Sequence, residues 1–135
     1  MTIDIATVRR IADGYTAAWN SGSAEAVSMF YAERGGIVIN RGSPWDGRAE
    51  VAKMAAGFFS DVPDLTLVGD GVRVAGDHVV YLWTFTGTHA GSGRPLRVSG
   101  WEEWDLDPEY KAMASRGWFD ADDYTRQTSG DIHQR

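Results

Sequence analysis

A chain of 135 residues with a formal net charge of −6 and no cysteine has the size of one ordinary domain and is long enough to bury a core. The acidic balance repels a nucleic-acid backbone, and the missing thiols remove disulfides and thiolate metal sites. No run approaches the roughly 18 apolar residues of a membrane span, and Met1-Thr2-Ile3-Asp4 has no secretory-leader pattern, so a cytoplasmic location is expected.

Residues 3–20 read as an amphipathic helix, because Ile5, Val8, Ala12, Tyr15 and Trp19 recur at spacings of three and four and share one face. Asn20-Ser21-Gly22 ends it with a residue suited to a left-handed cap. Ser23 caps a second helix that runs to about Tyr31, with Val27 and Phe30 inward. Gly35-Gly36 breaks that helix, and Ile37-Val38-Ile39 begins a strand. After a loop containing Pro44 and Gly47, a third helix spans about Arg48 to Phe59 and buries Val51, Met54 or Ala55, and Phe58.

Beyond Pro63 the pattern turns to β. Leu65, Leu67, Val72 and Val74 flank a Gly69-Asp70-Gly71 irregularity that suits a bulge or bend. Gly76-Asp77 turns the chain into His78 to Thr88, a run apolar on both faces and therefore central. Gly91 to Pro95 makes the next turn, Leu96 to Leu106 the next strand, Asp107-Pro108 a further turn, and Ala112 to Phe119 the last strand. Ala121 to Gln127 reads as a short closing helix and residues 128–135 as a loose tail. Helices first and a strand meander afterwards predict a single α+β domain over residues 1–135.

Strand parity singles out Glu102. Leu96, Val98, Gly100 and Trp104 share its face, whereas Arg97, Ser99, Trp101, Glu103 and Asp105 form the opposite, mostly polar one. An inward Glu102 is withdrawn from water, which raises its pKa and fits it to donate a hydrogen bond or to shuttle a proton. The same position also suits a structural glutamate paired with Arg73, Arg94 or Arg116. Tyr15 lies on the buried stripe of the first helix, as a core tyrosine with a satisfied hydroxyl or as a donor aimed into a cavity. His89 ends the central strand with the parity of Tyr81, Trp83 and Phe85, which suits a general acid/base and a solvated rim residue equally. Three scattered histidines (78, 89 and 133) offer no metal-ligand spacing, so no metal is expected. Asp120, Asp122 and Asp123 read as N-terminal charges on the closing helix. No G-x-S-x-G or phosphate-loop motif is present, which favours cofactor-free acid/base chemistry or binding alone.

The segment Tyr15-Thr-Ala-Ala-Trp-Asn20-Ser-Gly22 resembles the first helix of the NTF2-like superfamily. Thr86-Gly-Thr-His89-Ala-Gly91, then Gly93-Arg94 and Val98-Ser-Gly-Trp-Glu102-Glu-Trp104, resembles its SnoaL-like polyketide cyclase branch, as does Gly117-Trp-Phe-Asp120 with Tyr124 and Gln127. The resemblance spans about residues 5–127. It implies a cone-shaped, curved sheet with the N-terminal helices closing an apolar pocket, and a homodimer formed through the sheet. It also places Glu102 at the cyclase acid/base position, Tyr15 at the isomerase oxyanion tyrosine and His89 at the cyclase histidine. Asn40 falls where ketosteroid isomerases carry their proton-abstracting aspartate, and an amide cannot serve as that base. Gly117 and Thr84 replace an aspartate and an arginine of the limonene epoxide hydrolases, which argues against that reaction.

The expectation is therefore enolate chemistry on an apolar carbonyl or polyketide-like compound. Glu102 would exchange the proton, His89 would assist, and Tyr15 and Asn40 would hold the enolate oxygen. Trp19, Trp104, Trp118, Asp120 and Phe58 are expected to line the pocket. The alternative is a non-catalytic ligand-binding or dimerisation module, since this fold hosts both.

Overall fold

The computed structural model describes residues 3–129, and its first helix, α1 (Ile5–Asn20), starts behind an Asp4 cap that accepts the Ala6 amide. Val8, Ala12, Tyr15 and Trp19 are buried as the spacing predicts, whereas Ile5 is 37% exposed because the first turn leaves the core. Gly22 closes the helix at φ +73°, a backbone that glycine adopts without a Cβ penalty. Asn20 then fastens the helix end to the sheet: its amide accepts the Leu67 N–H at 2.6 Å and donates to the Leu67 carbonyl at 2.9 Å.

Helix α2 (Ala24–Ser28) carries the expected Ser23 cap, with the hydroxyl accepting the Ala26 amide at 3.1 Å, but it stops three residues short of the expected end. The reason is tertiary. The Phe30 carbonyl accepts the Ala112 amide, and Tyr31 already pairs with Ala112 in the sheet. Strand β1 therefore covers Tyr31–Ile39 instead of starting at Ile37. Gly35-Gly36 lies inside it, where the register jumps from Tyr31↔Ala112 to Gly36↔Ala114. A two-residue strand, β2 (Trp45–Asp46), interrupts the expected loop, and α3 (Arg48–Asp61) follows.

The remaining elements match the β reading: β3 (Thr66–Ala75), β4 (His78–Thr88), β5 (Pro95–Leu106), β6 (Ala112–Phe119) and α4 (Ala121–Thr128). The β3–β4 register shifts between Gly69 and Gly71, at the expected irregularity. The sheet order is β2-β1-β6-β5-β4-β3, with β1 and β6 parallel and every other pair antiparallel. The fold is thus α+β, helices on a curved, mixed sheet that does not close. Helix α1 covers the β3 side and α3 the β1 side. Leu96, Val98, Gly100, Glu102 and Trp104 of β5 are all buried, and their odd-numbered neighbours face outward.

Helix α4 buries no residue fully and is held instead by Gln127, whose amide accepts the Arg97 N–H and donates to the Arg97 carbonyl, both at 2.8 Å. These backbone groups lie beyond the point where β6 stops pairing with β5, at Gly100↔Phe119. Thr128, expected in the tail, is the last residue of α4; residues 130–135, His133 among them, lie outside the described residues. Among the described residues no helix is long and apolar enough to cross a membrane.

Candidate functional site

Between the sheet and the helices lies a cavity of about 50 Å³, partly open to solvent. Trp19 of α1, Met54 and Phe58 of α3, and Trp83 and Phe85 of β4 form much of its wall. Ile37 and Ile39 of β1 and Trp118 and Phe119 of β6 close another side. Glu102 is the single ionisable side chain among the lining residues. At roughly 10–15 Å³ per water, the space suits three to five waters or a small organic group.

Glu102 reaches this wall because β5 alternates and its even face is the inner one. The residue is 7% exposed. Its Oε1 accepts from the Trp104 indole at 3.0 Å, the Ser115 hydroxyl at 3.0 Å, the Tyr15 hydroxyl at 3.1 Å and the Tyr31 hydroxyl at 3.4 Å. Its Oε2 is met only by Tyr15, also at 3.1 Å, among the described residues. Ser115 sits on β6 opposite Trp104, and Gly117 opposite Glu102, so both flanking positions are small or polar.

None of the three arginines that parity offered as partners meets Glu102. Arg116 bonds to Glu103 and Asp105 on the outer face, Arg94 donates to the Gln127 carbonyl, and Arg73 to the Val72 carbonyl. Among the described residues, the carboxyl is thus surrounded by neutral donors without a cation. Burial pushes its pKa above the ordinary value, while the donors from Trp104, Ser115, Tyr15 and Tyr31 pull the other way. Burial and the Glu102 charge together push the Tyr15 and Tyr31 phenols well up, so both stay protonated and available as donors. Oε1 is saturated, and Oε2 has the free capacity to take or give a proton.

The other expected site residues divide sharply. Trp19, Trp118 and Phe58 line the cavity. Trp104 is fully buried behind the carboxyl, stacked on Tyr81 with ring centroids 5.1 Å apart; it positions Glu102 and is not part of the wall. Tyr15 likewise spends its hydroxyl on Glu102 and on the Tyr31 hydroxyl at 3.0 Å, so the bland and the functional readings of that tyrosine merge. Tyr81, alongside, hydrogen-bonds Thr16.

His89 does not reach the cavity. Its Nδ1 accepts the Ser92 amide at 3.2 Å and pairs with the Ser92 hydroxyl at 2.9 Å, so the turn that follows β4 pins the ring beside Tyr124. Asn40 is also directed elsewhere. At φ +51° it ends β1, and its Oδ1 accepts the Phe119 amide at 3.0 Å, tying β1 to β6. Asp120 caps α4 by accepting the Asp123 amide at 3.0 Å and is exposed; it belongs to the helix start, as its charge pattern predicts, and not to the cavity wall.

Two members of the Glu102 cluster were not legible as such. Tyr31 read as the end of a helix, and its hydroxyl reaches the carboxyl because that helix stops early. Ser115 was one signal overlooked: a hydroxyl at an inward position of an apolar strand poses the same question as Glu102 does. Among the described residues no group of three His, Cys, Asp or Glu side chains is placed to hold a metal ion.

Comparison with known proteins agrees with this fold. The family model of the SnoaL-like domain matches residues 12–109. No curated protein matches. TsrD from Streptomyces laurentii superposes with a TM-score of 0.81 at 21% identity, covering 95% of this chain and 98% of that one. A candidate SnoaL-like polyketide cyclase from Jannaschia sp. CCS1 gives 0.78 at 20% identity, covering 93% and 90%. A protein with a ketosteroid isomerase-like fold from Catenulispora acidiphila DSM 44928, solved in complex with trimethylamine, gives 0.78 at 19% identity, covering 95% and 94%. At such identities these likenesses speak for the fold, while the family model spans most of the chain: it belongs to the SnoaL-like domain family of the NTF2-like superfamily.

Proposed function

We propose that the protein is a cofactor-free acid/base enzyme that forms an enolate from a small apolar carbonyl compound, or from the small end of a polyketide-like one. The observation that carries this reading is the Glu102 carboxyl on an apolar wall, with four donors on Oε1 and a nearly free Oε2. Oε2 takes a proton from the carbon next to the carbonyl, and the enolate forms as the C–H bond breaks. The same acid then returns that proton at another carbon, or to the alkoxide produced when the enolate carbon attacks a second carbonyl. Isomerisation and aldol cyclisation share the first half of this route; in dehydration the acid gives its proton to a β-hydroxyl, which leaves as water as the C–O bond breaks and the C=C bond forms. Tyr15, Tyr31, Trp104 and Ser115 are positioning residues, which hold the carboxyl in place and moderate the effect of burial on its pKa. Neither His89 nor Asn40 enters the route, because neither lines the cavity, and His89 Nδ1 and Asn40 Oδ1 are tied to Ser92 and to the Phe119 amide. The base form requires ionisation, so the rate rises as pH passes upward through the raised Glu102 pKa.

The test does not require the true substrate. A panel of small ketones, lactones and epoxides is screened by thermal shift, and ligands that bind are followed by NMR for exchange of the α-hydrogen in D₂O. Glu102→Gln is expected to lower the exchange rate by about 10²–10⁴-fold, the range for one acid/base group, while leaving binding in place. Exchange equally fast in wild type and variant would refute the reading.

A second reading is a binding module for a small alkylammonium ion. It is favoured by the aromatic walls around a carboxyl that no cation meets among the described residues, and by the trimethylamine bound in one structural relative. Under it, trimethylammonium binds more tightly as pH rises and Glu102→Gln abolishes binding. A homodimer through the outer sheet face is part of either reading, supported by Trp101, an outward indole on β5 that is 42% exposed; sedimentation at micromolar concentration checks it.

A further inference from the structure

The cavity has room for about three to five waters, so anything larger than a small organic group enters only if part of the wall moves. Exposure shows where that wall is thinnest. Of the lining residues, Ile39, Phe58, Trp118 and Phe119 are half-buried and the others are buried. Ile39, Trp118 and Phe119 lie at the ends of β1 and β6, and Phe119 meets Phe58 of α3 with ring centroids 6.4 Å apart. The opening of the cavity therefore lies at this end of the sheet. Helix α4 begins there, since its cap, Asp120, directly follows Phe119.

Among the elements around the opening, α4 is the most weakly seated. Strand β1, helix α3 and strand β6 each contribute buried residues, and α4 contributes none. Tyr124, which does not line the cavity, packs on Phe119 at 5.9 Å and on His89 at 6.3 Å between ring centroids. Its hydroxyl is shielded from solvent and has no hydrogen-bond partner among the described residues. A hydroxyl docked without a partner favours the undocked state, in which water bonds it. The rest of the hold is polar: Gln127 clasps the Arg97 backbone, and Arg94 donates to the Gln127 carbonyl at 3.0 Å. Water can replace such bonds at an exposed residue. Before the junction the chain is fixed instead. The Phe119 amide donates to Asn40 Oδ1 at 3.0 Å, and the Asn40 amide to the Gly117 carbonyl at 2.8 Å. Helix α4 can thus swing about Asp120 while β6 stays in the sheet, and Phe119 then loses the ring that backs it.

We infer that α4 is a latch on the cavity whose release admits substrates larger than the closed space, with Gln127 as the catch. The Tyr124 hydroxyl makes the docked state easier to leave. The inference rests on the cavity being the site of the proposed reaction, and it adds what sets the size of the substrate.

The experiment uses the full chain and two ketones, cyclopentanone and the bicyclic 2-decalone, with affinity and α4 amide exchange both followed by NMR. A ligand that needs the open form binds in proportion to the open fraction. Gln127→Ala is expected to tighten 2-decalone binding at least about fivefold, the equivalent of one neutral hydrogen bond lost from the closed state, and to leave cyclopentanone unchanged. Tyr124→Phe, which removes only the unbonded hydroxyl, is expected to act in the opposite direction, weakening 2-decalone binding and slowing exchange in α4. In the wild type, 2-decalone should accelerate α4 exchange and cyclopentanone should not. The wild-type exchange and Tyr124→Phe decide the matter should Gln127→Ala fold poorly. Equal 2-decalone affinity in all three proteins, with α4 exchange unmoved by either ketone, overturns the latch and leaves the cavity as the site. Binding of cyclopentanone alone, with 2-decalone excluded from Gln127→Ala as well, overturns it too. The effect of Glu102→Gln on α-hydrogen exchange is read separately on cyclopentanone, so a failure of the acid/base reading is distinguishable. Binding of neither ketone removes the site and the inference together.

Discussion

Tyr15→Phe deletes one oxygen from the centre of the Glu102 cluster, and its effect should depend on pH. The hydroxyl lies 3.1 Å from both carboxyl oxygens and 3.0 Å from the Tyr31 hydroxyl, in a residue only 2% exposed, so no water replaces it directly. Glu102 holds its proton more tightly in the folded state than at its ordinary value of 4.5. Between that value and the raised one, the folded chain keeps a proton that the unfolded chain releases, and stability falls as pH rises through this window. The Tyr15 donor opposes that loss, because it favours the charged form. At pH 4, below the ordinary value, the variant therefore loses a hydrogen bond between neutral groups, about 0.5–1.5 kcal/mol; once pH has passed the raised value it loses one to a carboxylate, about 1.5–3 kcal/mol. In a domain of this length each kcal/mol corresponds to about 3–4 °C in melting temperature. Urea unfolding of wild type and variant across a pH series from 4 upward, followed by tryptophan fluorescence, measures the difference. The same pair in a Glu102→Gln background should show no pH dependence. A Tyr15→Phe cost that stays constant while wild-type stability falls with rising pH, or a pH dependence that persists unchanged without Glu102, would refute the coupling.

Gly100→Ala should destabilise the protein by about 2 kcal/mol or more, since the new Cβ would press on the Trp118 carbonyl and on the Trp83 ring. Gly117→Ala, whose Cβ would have Ile39, Ile37 and the Glu102 Cγ as its nearest neighbours at 3.6–3.8 Å, should change stability by less than about 1 kcal/mol; thermal melts of the two variants check the contrast. Gln127→Ala removes the amide that serves the Arg97 N–H and carbonyl, and should accelerate hydrogen exchange at Arg97 and across α4 while leaving the global melting temperature within about 3 °C. Unchanged exchange would mean that α4 is held by its other contacts.

Much of the site was legible because strand parity is a local rule. Counting by twos along β5 put Glu102 on the inner face, and no distant contact was needed for that inference. Helix spacing placed Tyr15 and Trp19 inward for the same reason. The errors share a different cause. Tyr31 looked helical because its local sequence continues the spacing of α2, but pairing with Ala112, 81 positions away, ends the helix and turns the phenol toward Glu102. Parity also put His89 in line with Tyr81, Trp83 and Phe85, yet that residue lies just past the end of β4, where the hydrogen bonds of the turn override the alternation.

By itself, the sequence determined the α+β class, the strand faces and the presence of one carboxyl among apolar neighbours, because period and turn chemistry act over a few residues. Only the tertiary structure decided what surrounds that carboxyl. Its donors come from α1, β1, β5 and β6, elements far apart in the chain. The same packing decided that Arg73, Arg94 and Arg116 do not reach Glu102, because each bonds elsewhere. Hydrogen bonds and desolvation depend on distance in space, and chain position fixes that distance only once the sheet has curved around the helices.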